Sequence, residues 1–225
     1  MKASILFTRL LAPAVLGVMS VVTAWPASAA EAEKTLAVFS FQNATAGVGG
    51  NLGDRVVAAS YLRESAQTSA TFSWTDPDGL FPNAGGTFYD HGVQQWDWDG
   101  PGDKVFSARG TGPAWDFSQG GFGSSHFVIT LTAKKPWLLT DFSMQQQAND
   151  PQYPVDIVAV QGNASTVLGT VWVGGSGFGI VNLSGLSHIF AAGPAQILIL
   201  PQVPSPTGSG YLAVDDVTLT GKWNP

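Results

Sequence analysis

Two clusters of side chains in this sequence have the types and spacing to do chemistry. The first is the pair Asp215-Asp216, inside the run Leu212-Ala213-Val214-Asp215-Asp216-Val217-Thr218-Leu219. On an extended strand Ala213, Asp215, Val217 and Leu219 share one face, so Asp215 is expected to point the same way as its apolar neighbours, with Asp216 opposite. A carboxylate buried in that company needs backbone donors, a cation or a metal beside it. The second cluster is Trp96-Asp97-Trp98-Asp99, repeated in shorter form by Trp115-Asp116. An extended Trp-Asp-Trp-Asp segment sets two indoles on one face and two carboxylates on the other. Sugars stack their apolar CH faces on aromatic rings, and carboxylates accept hydrogen bonds from their hydroxyls. All six residues are therefore candidate ligand contacts. The plain alternative is that the indoles anchor a long loop to the core.

Other chemistries lack a complete pattern. Asp76-Pro77-Asp78-Gly79 and Asp97-Trp98-Asp99-Gly100 begin like calcium loops, but Thr87 and Ala108 stand where an EF-hand requires Glu, and Asx turns account for both. A glycosidase acid pair would have to come from Asp90, Asp97, Asp99 and Asp116, with no spacing that fixes their separation. There is no G-x-S-x-G elbow, and Gly174–Gly179 lacks the Lys of a phosphate loop. His91, His126 and His188 are scattered without ligand spacing. No catalytic residue is assigned.

The elements that must position these residues read as β throughout. Strand-length apolar runs recur at Leu36–Gln42, Val56–Leu62, Ala70–Trp74, Phe127–Ala133, Leu138–Met144, Val155–Gln161, Val167–Val173, Ala195–Pro201 and Tyr211–Thr220, punctuated by Gly, Pro, Asn and Asp. In Phe127–Ala133 the alternation is clean, with Phe127, Ile129 and Leu131 on one face. Val56–Leu62 is the one stretch with a helical alternative, capped by Asp54, but Val56, Val57 and Tyr61 favour a strand. The fold class expected is all-β, an antiparallel β-sandwich of the jelly-roll kind. The outlier is Thr75–Ser125, a Gly-dense stretch that holds seven of the thirteen Asp residues and reads as long loops on a rigid scaffold.

Residues 1–30 read as a cleaved signal peptide: Lys2 and Arg9, an apolar run from Leu10 to Val22, then the small residues Ala27-Ser28-Ala29-Ala30. Residues 31–225 form the single expected domain, exported to the periplasm or the extracellular space. Removing Lys2 and Arg9 leaves eight basic residues against sixteen acidic, a net charge of −8. That charge opposes binding to nucleic acid, and no later run inserts in a membrane. The absence of cysteine excludes thiol catalysis and leaves stability to the core.

The opening strand Leu36–Gln42, the segments His126–Leu131 and Trp137–Met144, and the closing Gly210–Gly221 come in an order that resembles exported bacterial jelly-roll domains of the PEP-CTERM surface-protein type. The "apolar-Asp-Asp-Val-x-Leu-x-Gly" ending resembles that of carbohydrate-binding modules. The resemblance implies a structural Ca²⁺ between the last strand and the first, held by Asp215 and Asp216 with oxygens from Gln42 and Asn43. No sorting tail follows before Pro225, which points to release or periplasmic residence. The function expected is a secreted binding or matrix protein that recognises carbohydrate or a cell-surface component through acidic and aromatic loops. An extracellular polysaccharide-cleaving hydrolase or lyase is the first alternative, and a structural surface or biofilm protein the second.

Overall fold

A computed structural model describes residues 32–47, 53–63, 67–75, 89–95, 103–110, 126–148, 152–175, 179–202 and 211–223. By its contacts the chain divides into Met1–Ala30 and Glu31–Pro225. Fourteen strands are described in the second unit, and no helix: β1 (Lys34–Phe39), β2 (Val56–Ala58), β3 (Tyr61–Leu62), β4 (Gln67–Thr75), β5 (Tyr89–Gln95), β6 (Lys104–Gly110), β7 (His126–Ala133), β8 (Trp137–Ala148), β9 (Tyr153–Gln161), β10 (Ala164–Val173), β11 (Gly179–Leu183), β12 (His188–Phe190), β13 (Gly193–Pro201) and β14 (Tyr211–Trp223).

They form two antiparallel sheets packed as a jelly-roll sandwich. The first sheet runs β11-β8-β14-β1-β3, with β12 also on β8 and the β5–β6 hairpin attached through β6 to β14. The second runs β10-β9-β13-β7-β4-β2. Strand alternation builds the core between them. Phe39 and Phe106 of the first sheet meet Phe72 and Phe127 of the second, with Phe41 edge-on to Phe72 at 5.2 Å and Trp74 edge-on to Phe127 at 4.7 Å. Such tilted pairs add to the stabilisation from area burial alone. Toward the far end, Trp137 stacks on Phe190 at 4.2 Å.

Two expectations need correction. Val56–Leu62 is not one strand. It is β2 in the second sheet and β3 in the first, with the crossing at Ala59-Ser60, where Ser60 donates from its backbone N and its hydroxyl to Val38 O. Thr75–Ser125 is not a continuous loop region either, because it contains the β5–β6 hairpin. Polar residues and Gly92 disguise that hairpin; among its described side chains, Val93 and Phe106 reach the core cluster.

Candidate functional site

The closing strand carries the feature that decides where Asp215 points. Opposite β8, Asp215 pairs with Gln145 and Thr218 with Ser143, so Asp216 and Val217 together face the single residue Met144. This is a β-bulge, and Asp216 makes it by adopting φ 45°, a left-handed conformation that Asp tolerates better than most residues. The extra residue reverses the phase of the strand. Leu212 and Val214 before it, and Val217 and Leu219 after it, all belong to the core cluster. The expected shared face of Asp215, Val217 and Leu219 is therefore overturned: Asp215 lies on the other face of the sheet, in line with Thr218. It is nonetheless 1% exposed. Asp216, half-buried, accepts a hydrogen bond from Gln145 Nε2 at 3.2 Å.

At the bulge the edge of β14 passes from one neighbour to another. β1 pairs with residues 217–221, and β6 with residues 211–214. The chain leaving β1 turns sharply at Phe41, which is buried with φ 53°, and Ala44 N donates to Phe41 O at 2.9 Å. A left-handed aromatic residue is strained and persists only where packing holds it; here Phe72 and Phe106 do. The turn exposes Gln42 and Asn43. Lys104, at the start of β6, donates from Nζ to the carbonyls of Gln42 at 2.9 Å and Ala44 at 2.6 Å, and the Gln42 amide donates to Asp103.

This geometry bears on the expected calcium. A calcium ion takes six to eight oxygens. At this corner two backbone carbonyls accept from an ammonium, and the Gln42 side chain presents its NH₂ to Asp103. Among the described residues no group of three His, Cys, Asp or Glu is placed to hold a metal. The donors and acceptors described at this corner already serve a tethered cation, Lys104. Thermal melts in millimolar Ca²⁺ and in chelator are accordingly expected to coincide. Lys104→Met is expected to lower stability by about 1–3 kcal/mol, because two carbonyls lose a charged donor. A melting temperature that rises with Ca²⁺ would restore the metal to the corner.

The ligand candidates Trp96, Asp97, Trp98, Asp99, Trp115 and Asp116 lie outside the described residues, but the strand ends that carry them are described. Gln95 pairs with Lys104 at one end of the β5–β6 hairpin and Tyr89 with Gly110 at the other. The anchors of 96–102 and of 111–125 are thus separated by the seven-residue length of the hairpin, roughly 20 Å. The sequence makes these segments neighbours; the register roots them at opposite ends.

A residue not singled out in the sequence reading shares the end where 111–125 is rooted. Of the four described tryptophans, Trp74, Trp137 and Trp223 are buried, whereas Trp172 on β10 is 59% exposed. Its signal was present in the sequence: Val171 and Val173 alternate with it and face the core, which forces Trp172 outward. It pairs across strands with Pro154, and Thr170 pairs with Asp156, to whose Oδ1 the Thr170 hydroxyl donates at 2.5 Å. Gln202, exposed at the end of β13, donates its backbone N to Pro154 O at 2.9 Å. The turn after Val173 is pinned by Gln146, whose Oε1 accepts from Gly174 N at 3.1 Å. The indole therefore stands on a fixed strand end.

No family model and no curated protein matches the chain. Several solved structures are similar to it. The CBM22-1 xylan-binding domain from Paenibacillus barcinonensis Xyn10C is 11% identical with a TM-score of 0.42, over 88% of this chain and 100% of that one. The family 11 carbohydrate-binding module of Clostridium thermocellum Lic26A-Cel5E is 11% identical with a TM-score of 0.40, over 85% and 96%. The K2 adhesin domain of Lys-gingipain is 14% identical with a TM-score of 0.39, over 66% and 88%.

Proposed function

We propose that the chain is an exported binding protein that recognises carbohydrate, or a glycan-bearing component of a cell surface, through aromatic and acidic residues mounted on the sandwich. The observation that supports this most is the exposed Trp172 beside Asp156, at the end of the sandwich where the segment holding Trp115 and Asp116 is rooted. Apolar rings of that size are normally kept in the core, and this chain does so with its other described tryptophans. An indole left in water beside a carboxylate suits a ligand with one apolar and one hydroxylated face. Export is read from the composition of residues 1–30, and N-terminal sequencing of the secreted protein is expected to begin near Ala30 or Glu31.

Trp96, Asp97, Trp98 and Asp99 remain proposed contacts of the same class, rooted at the other end of the β5–β6 hairpin. Trp98→Ala is expected to weaken glycan binding by about 1–3 kcal/mol with stability nearly unchanged. A Trp98→Ala protein that unfolds readily makes this indole a core anchor instead. The polysaccharide-cleaving alternative is tested on any bound polymer by assaying for new reducing ends.

A further inference from the structure

We propose that the outward face of the second sheet at Trp172 is a glycan platform in its own right, and that its ligand is a neutral polysaccharide whose pyranose ring stacks on the indole. This inference rests on the carbohydrate-binding reading and assigns it a place and a charge class.

The platform is made by strands and not by loops. Trp172 and Pro154 are direct cross-strand partners, so a flat apolar strip two strands wide faces outward at this corner. One pleat repeat along, on the same face, Thr170 and Asp156 form the next pair and are hydrogen-bonded to each other. Leu200, the partner of Asp156 on β13, continues that row, and Gln202 lies beside Pro154. Neighbouring residues on one strand face are about 7 Å apart, close to the breadth of a sugar ring. A pyranose stacked on Trp172 therefore brings its ring hydroxyls over Asp156 and within reach of the Gln202 amide. The Thr170 hydroxyl already donates to Asp156 Oδ1, which fixes the carboxylate and leaves Oδ2 to accept from a sugar hydroxyl.

Charge selects the ligand class. β9, β10 and β13 contain no Lys or Arg, and Asp156 is an acidic group on the platform. A uronate or sulfated polymer would meet repulsion there with no cation to offset it, whereas a neutral pyranoside meets only acceptors and an amide. β10 is also an edge strand, and association between copies of the chain is the competing use of an exposed indole there. The carboxylate and hydroxyl pair beside the ring favours the hydroxylated ligand.

The test is affinity electrophoresis of the purified protein through gels containing xylan, mixed-linkage glucan, galactan, mannan or polygalacturonate, with sedimentation velocity run in parallel. The wild-type protein is expected to be retarded by at least one neutral polymer and not by polygalacturonate. Trp172→Ala, at an exposed site, is expected to keep the wild-type melting temperature and weaken that binding roughly 10–100-fold, with Asp156→Ala weakening it less. Retardation of Trp172→Ala equal to wild type overturns the platform and leaves the general reading standing. Retardation chiefly by polygalacturonate overturns the charge class. A change in sedimentation alone makes Trp172 a self-association residue and overturns the proposal. A wild-type protein retarded by no polymer removes the carbohydrate reading and the platform with it.

Discussion

Gly221→Ala is expected to cost about 4 kcal/mol or more, which for a domain of this size lowers Tm by roughly 8–16 °C. Gly221 lies in β14, the most central strand of the first sheet, between Lys34 of β1 and Leu139 of β8. A Cβ there would overlap the carbonyl oxygen of Leu138 and come within 2.8 Å of Leu36 Cδ1. The first obstacle is backbone of a paired strand and the second a fully buried side chain, so neither yields cheaply. The β14–β8 register also shifts between Thr220 and Gly221. Urea titration of the variant against wild type measures the cost. A midpoint within experimental error of wild type would show that β14 can move aside, and that the register described here is not the one that holds the sandwich together.

Asp215→Ala is the second large effect, expected at about 2–4 kcal/mol. A carboxylate that is 1% exposed has left water entirely, and a charge so placed persists only where donors compensate it. Truncation removes the carboxyl and strands whatever it bonds to, the costly half of the asymmetry in buried polar interactions. The neighbouring Asp216 behaves differently, because its part is conformational. Asn, which also adopts left-handed φ readily, is expected to be tolerated at 216, whereas the β-branched Val is expected to open the bulge and cost more. Equal stability of Asp215→Ala and wild type would overturn the account of the buried carboxylate. A destabilising Asp216→Asn matched by a harmless Asp216→Val would overturn the account of the bulge.

How far the sequence carried these conclusions depends on what each feature rests upon. Strands whose two faces differ in polarity were legible, because alternation reports burial directly. Phe127–Ala133 is β7 with the expected face inward, and most of the other apolar runs fall on strands. The β5–β6 hairpin was hidden because polar residues and glycine interrupt its alternation, and its Gly92 lies close to backbone at Asp54 O and Gly53 O. The face of Asp215 was misread because a period of two holds only while pairing is regular, and one left-handed residue at 216 resets it. The cation at the Gln42 turn was beyond reach for another reason: Lys104 lies some sixty residues away along the chain, and only the hand-over of the β14 edge from β1 to β6 brings it there. Trp172 is legible from its place between two core valines, a quieter signal than that of the tryptophans set among aspartates.

Whether this sandwich binds carbohydrate is decided by a glycan array probed with the purified protein, followed by a reducing-end assay on any polymer bound. Retention on neutral polysaccharide glycans is expected, with no new reducing ends released. Binding to no glycan on the array, or steady release of reducing ends from the polymer bound, would contradict it.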